Sequence, residues 1–150
     1  MIDIEAYHLE TESSFYSFEF VSEGKRKINK VIKFTPIDVP NVCNLGFGDT
    51  DSETGLIDDQ ITSNNGDTQR VLATVARAVW IFTEKHPDWL VFATGVTPAR
   101  TRLYRMGITQ YWAEISANFT VWGFFDEDWE DFIPNRAYSA FLVKRKTNDI

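Results

Sequence analysis

Cysteine is almost missing from this chain: Cys43 is the only one in 150 residues. A framework of intramolecular disulfides is thereby excluded, and a reducing compartment, the cytoplasm, is the expected setting. Cys43 itself, between Val42 and Asn44 in an expected strand, reads as a small buried residue. Histidine is nearly as scarce, with His8 and His86 alone. No Cys/His cluster for zinc is available, and a histidine-based triad has no support. No phosphate-cradling Walker pattern and no nucleophile elbow occurs. Long apolar runs are absent too; none approaches the roughly 20 residues that a membrane-spanning helix requires. The opening Met1-Ile2-Asp3-Ile4-Glu5 lacks the basic-then-apolar order of a signal peptide. Positive charge is in deficit, 15 Lys and Arg against 22 Asp and Glu, for a net charge of -7. A body of that sign repels phosphate at long range, which argues against general nucleic-acid binding.

What is present is a chain of single-domain size with ordinary globular composition, 43% hydrophobic and 25% charged. Its rings are abundant, with Phe 12, Trp 5 and Tyr 5, so many must pack on one another across a sheet. Residues 2 to 10 are read as an edge strand. Ser14 to Val21 alternates, placing Tyr16, Phe18 and Phe20 on one side, and Ile28 to Phe34 runs back with Ile28, Lys30 and Ile32 sharing a face. Ser22-Glu23-Gly24-Lys25 is the expected hairpin turn, with Gly24 at positive φ. Pro36 and Pro40 precede a strand from Val42 to Phe47.

The acidic stretch Gly48 to Asp59 invites comparison with a calcium loop. Counted from Asp49, however, the glycine falls at the seventh position instead of the sixth, and Gln60 takes the twelfth, where a bidentate Glu belongs. A solvated turn is the reading, and no metal site is expected. Ser63-Asn64-Asn65-Gly66-Asp67 starts a helix whose Val71, Leu72, Val75, Ala78, Val79 and Phe82 recur at helical spacing, and His86-Pro87 ends it. His86 at that end suits the helix dipole and reads as structural. Trp89 to Thr94 is apolar without alternation, as in a strand buried on both faces. Thr97 and Pro98 then open a second helix as cap and first residue, with a break expected near Gly107. Strands follow at Phe119 to Asp126, Trp129 to Ile133 and Tyr138 to Val143. The whole is a single α+β domain, a mostly antiparallel sheet of about six to seven strands with two main helices, in the order β-β-β-β-α-β-α-β-β.

Chemistry concentrates at the two helix starts. Gly95 permits a tight corner, the first N–H groups of the following helix are unpaired within it, and Arg100, Arg102 and Arg105 add charge. If the strands before the two helices are neighbours, one crevice gathers Asn64, Asn65, Gly66, Gly95, Arg100, Arg102 and Tyr104. Such a corner suits a small anionic ligand or an acidic protein segment, without a cofactor. A further possibility is the basic hairpin of Lys25, Arg26, Lys27, Lys30 and Lys33 beside Phe15, Tyr16, Phe18 and Phe20. Basic residues interleaved with aromatics on a sheet bind single-stranded nucleic acid in other proteins, although the total charge here opposes it.

Asn44-Leu45-Gly46-Phe47-Gly48-Asp49, Ser63 to Asp67 with Val71-Leu72-Ala73-Thr74-Val75, and Thr94-Gly95 with Ala99 to Arg105 resemble a family of small uncharacterised bacterial proteins, common in Bacteroidota. That resemblance implies a bacterial cytoplasmic protein and no particular activity. From residue 14 onward the element order also resembles the GNAT acetyltransferase superfamily, with Ala99 to Ile108 similar to the start of its last helix. This second resemblance implies coenzyme A as cofactor and Tyr104 as general acid to the leaving thiolate. The Arg/Gln-x-x-Gly-x-Gly/Ala loop that holds the pyrophosphate in those enzymes is not spelled by Ser63 to Thr68, and the two helices usual after their first strand are absent.

Overall fold

The computed structural model describes residues 6–50, 57–58, 65–95 and 97–146, with 57–58 as backbone only. In chain order the strands are β1 (Glu10–Thr11), β2 (Ser17–Glu23), β3 (Lys27–Pro36), β4 (Val42–Thr50) and β5 (Ile57–Asp58). Helix α1 (Thr68–Lys85), strand β6 (Leu90–Ala93) and helices α2 (Pro98–Gln110) and α3 (Trp112–Asn118) follow. Strands β7 (Phe119–Phe125), β8 (Asp128–Asp131) and β9 (Ala140–Arg145) complete the chain. All belong to one sheet in the order β1-β2-β3-β4-β6-β9-β7-β8, with β5 also on β4. Every pairing is antiparallel except that of β4 with β6. The α+β architecture expected from the sequence is the one observed, extended by the short β5, by a third closing strand and by a third helix, while of the edge strand expected over residues 2 to 10 the described part forms a strand only at Glu10–Thr11. Most of the calcium-like stretch lies outside the described residues, as does Asn64. Among the described residues no helix is long and apolar enough to cross a membrane.

The helices cover one face of the sheet, and the core lies between them. Phe18, Ile32, Phe34, Cys43, Val91 and Phe141 point into it from five neighbouring strands and are almost completely buried. The Phe34 and Phe82 rings stack at 4.2 Å, tying β3 to α1. Thr74 and Thr83 are buried on α1 as well, and each hydroxyl satisfies itself on the carbonyl one turn back, Arg70 and Val79. His86 caps α1 through its backbone N–H to the Phe82 carbonyl, and its ring Nε2 lies 2.9 Å from the Ser14 carbonyl.

Two local expectations change. β6 is not buried on both faces: Val91 and Ala93 are buried while Leu90 and Phe92 are half-buried, because helices cover only one side. On the other side Phe92 meets the ring of Trp129, edge to face at 6.2 Å. The helix break falls at Tyr111 instead of near Gly107. Gly107 continues α2, and the Tyr111 N–H closes on its carbonyl at 3.1 Å.

Before β2, one carboxylate organises the chain. Glu12 accepts hydrogen bonds from the Ser14 hydroxyl and from the N–H groups of Ser14, Tyr16 and Ser17. It thereby holds Phe15 at a positive φ of 62°. The Ser14 hydroxyl first, then these backbone donors, lower its pKa to about 2. A carboxylate depressed in the folded state adds stability above its unfolded value, and that stability is lost as pH falls through the folded one. We therefore expect an NMR titration midpoint for Glu12 near 2, and Glu12→Gln should flatten the stability profile between about pH 4.5 and 2. A midpoint at the ordinary carboxylate position would remove this account of the turn. Cys43 sits fully buried on β4, where burial pushes its thiol up to about 11. It should resist alkylation at pH 8 in the native protein and react only at the rate of unfolding, as followed by mass spectrometry.

Candidate functional site at the parting of two strands

The parallel register of β4 and β6 runs only from Val42↔Leu90 to Leu45↔Ala93. Further along β4, Asp49 pairs with Lys30 of β3 on one edge and with Asp58 of β5 on the other. Along the edge that β6 and β5 share, Gly46, Phe47 and Gly48 therefore face neither strand. The Arg100 guanidinium occupies this parting: its Nη1 donates to the Phe47 carbonyl at 2.8 Å, and its carbon lies 4.6 Å from the centre of the Phe47 ring. A carbonyl that has lost its strand partner is thus satisfied by a charged donor, an interaction stronger than a neutral bond.

The local sequence delivers Arg100 there. Thr97 caps α2 by accepting from the Arg100 N–H at 3.2 Å, and Pro98 occupies the first turn. Gly95 packs directly on that turn. A Cβ at residue 95 would lie 2.3 Å from the Thr101 nitrogen, so only glycine fits, and its N–H donates to the Thr101 hydroxyl at 3.0 Å. The glycine corner is thus a packing device.

Asn65, just before α1, is committed to the β2–β3 hairpin. Its side-chain oxygen accepts from the Arg26 N–H at 2.9 Å, its amide nitrogen donates to the Arg26 carbonyl at 2.7 Å, and its own carbonyl accepts from Lys25 N–H at 2.8 Å. The carbonyl sits 1.8 Å from where a Cβ on Gly24 would be. Gly24 is therefore required for this close approach and not for a positive φ, which among the described glycines occurs only at Gly66. Beside this latch, Asp67 accepts from the hydroxyls of Tyr7 and Ser22. Burial first, then the hydrogen bond to Asp67, raises the Tyr7 phenol above its ordinary value.

Between β3, β4 and the two helices lies a cleft of about 250 Å³, lined by Lys30, Phe47, Asn65, Asp67, Arg100 and Tyr104 among others. Lys30 and Arg100, 4% and 8% exposed, are the only charged residues among the described ones that are buried, and both are cations facing this cleft. Lys30 is ion-paired with Asp49. The cleft thus brings together Asn65, Arg100 and Tyr104 from the set expected from sequence. Gly66 forms the adjoining turn, with φ 83°. Arg102 is exposed and lines a separate shallow groove with Arg105 and Met106. Lys30 was not expected in the site, although its place on one strand face with Ile28 and Ile32 was the available signal. Phe18, Phe20 and Lys30 of the basic hairpin face the helices, not solvent. Among the described residues no group of three or more His, Cys, Asp or Glu side chains is placed to hold a metal.

Beside it, a second space of about 110 Å³ lies between sheet and helices, its walls almost wholly apolar. Leu72, Val75 and Tyr104 line both spaces. Gly107 lines it too, and a methyl there would meet Leu72 at an ordinary 3.5 Å. Gly107→Ala should raise stability by about 0.5–1 kcal/mol in urea denaturation, by helix propensity; a loss would mean that the methyl is not accommodated. Asn65→Ala should cost about 3 kcal/mol, since it strands an N–H and a carbonyl of Arg26, and a change under 1 kcal/mol would show the hairpin latch to be dispensable.

No curated protein and no solved structure matches the chain, and the comparisons lend no support to the acetyltransferase resemblance. A family comparison matches residues 3–146, nearly the whole chain and every strand and helix described above, and on that match the protein belongs to a family of unknown function (DUF6934).

Proposed function

We propose that this protein binds a small anionic ligand, without catalysis, in the cleft between β3, β4 and the starts of α1 and α2. One observation carries the reading. In a chain of net charge -7, the two buried charges among the described residues are both cations, and both line that cleft. Buried ions are costly and are rarely kept without a partner. Asp49 is ion-paired with Lys30, and the Phe47 carbonyl accepts from Arg100, so both cations are held in place at the cleft wall. A ligand carboxylate or similar group reaching between them would add charge-assisted hydrogen bonds in a partly desolvated place. The setting fits a bacterial cytoplasm, where the lone thiol stays reduced, and an acidic segment of a protein partner is the macromolecular version of the same chemistry.

A second reading has one supporting observation. The order of antiparallel strands, helix, strand, helix and closing strands agrees with that of GNAT acetyltransferases. On that reading coenzyme A is the cofactor and Tyr104, in the cleft wall, is the acid. The missing pyrophosphate loop counts against it.

Thermal unfolding in the presence of acetate, butyrate, inorganic phosphate and acetyl-CoA separates them. A ligand at 100 times its Kd stabilises by about 2.7 kcal/mol, which for a chain of this size raises Tm by roughly 5–10 °C. We expect such a rise with a simple anion, and its loss in Arg100→Gln. A wild-type protein unmoved by every simple anion, or a shift that survives Arg100→Gln, would sink the leading reading. A rise confined to acetyl-CoA, with acetyl transfer that Tyr104→Phe slows while the rise persists, would favour the second.

A further inference from the structure

The polar cleft and the apolar chamber behind it share a wall, and α2 runs along both. Arg100, Tyr104, Gly107, Ile108 and Tyr111 fall on one helix face at spacings of four, three, one and three. The first lines the cleft alone, Tyr104 lines both spaces, and the last three line the chamber alone. At about 1.5 Å per residue the path from Arg100 to Gly107 spans roughly 10 Å. Along it the surroundings change from a buried guanidinium to Leu45, Val79, Val91 and Val121.

We propose that this path is one binding site, and that its ligand is a short-chain monocarboxylate whose carboxylate sits at Arg100 and Lys30 and whose hydrocarbon tail fills the chamber. The proposal rests on the anion-binding reading of the cleft and names the ligand class. Three features point to it. The chamber holds about 110 Å³ between almost wholly apolar walls, room for a tail of roughly four to six carbons. The residue bordering it on α2 is a glycine in mid-helix, where a methyl would make only ordinary contact with Leu72. Packing does not demand that glycine, and it leaves the chamber larger. Finally, Asp49 is ion-paired with Lys30, and Asp67 lines the same cleft. A singly charged head group meets less repulsion from these carboxylates than a doubly charged phosphate.

The test is a titration of the full chain with acetate, butyrate, hexanoate, decanoate and hexanol, followed by calorimetry and by methyl NMR of Leu, Val and Ile side chains. Affinity should rise about fourfold per added methylene up to hexanoate, from the burial of each CH₂, and should then level off at decanoate. Hexanoate should shift the methyls of Leu45, Val79 and Val91, which acetate should leave in place. Ala76→Leu, which fills the chamber from α1 without touching the cleft, should bring hexanoate down to the affinity of acetate while acetate binding persists. Gly107→Ala, a milder filling, should do the same in part, so the comparison survives if Ala76→Leu fails to fold. If acetate binds through Arg100 but hexanoate binds no better and the chamber methyls stay still, the tail assignment is overturned and the cleft reading stands. If no carboxylate binds, both fall. If hexanol binds as tightly as hexanoate and both ignore Arg100→Gln, the chamber is unconnected to the cations and the proposal is overturned.

Discussion

The fold turns on the place where β6 leaves β4. Parallel strands need a crossover, and here α1 supplies it, but only four residues of β6 keep the register before the chain swings away into α2. Such a parting leaves backbone groups on β4 without strand partners inside the protein, which is expensive unless a donor replaces them. The Arg100 guanidinium does so at Phe47 while lying against the ring of the same residue. Gly95, Thr97 and Pro98 all serve to set the α2 start where that arginine can reach. The cleft follows directly, because a sheet cannot close over a gap between diverging strands.

The same constraint explains where the protein puts its buried charge. A guanidinium in the parting draws the interior toward polarity, and Lys30 with Asp49 continues it along the neighbouring strand pair. The start of α1 is anchored over this region by Asn65, whose amide and carbonyl hold the β2–β3 hairpin, and by Asp67, which receives Tyr7 and Ser22. Polar satisfaction at one end of the core contrasts with loose apolar packing at the other. The two regimes meet at Tyr104, which lines both spaces.

Much of the architecture was legible because its signals are local. The period-two alternation from Phe15 to Phe20, the helical recurrence from Val71 to Phe82, and the Thr97-Pro98 start each depend on neighbours within a few residues; both helices stand where those signals place them, and β2 starts at Ser17 because Glu12 folds the residues before it into a turn. Gly107 misled as a helix breaker because its cost in a helix is real but small, and the α1–α2 contact accepts it. Trp89 to Thr94 reads as a doubly buried strand since apolarity alone does not say how many faces a sheet has covered. The site was half legible. Asn65, Arg100 and Tyr104 meet in the cleft, whereas Arg102, two residues from Arg100, points elsewhere because a helix turns about 100° per residue.

By itself, then, the sequence determined the main strands and the two long helices, where α1 and α2 begin, and that the lone cysteine is a core residue, since propensity, capping and periodicity are short-range properties. Only the tertiary structure decided what Gly24 and Gly95 are for, that Asn65 latches a hairpin residue 39 positions earlier in the chain, and that Lys30 lines the same cleft as Arg100. Those facts depend on β3, β4, β6 and α2 converging in space, and no local pattern carries the distance between residues that meet only when the sheet is assembled.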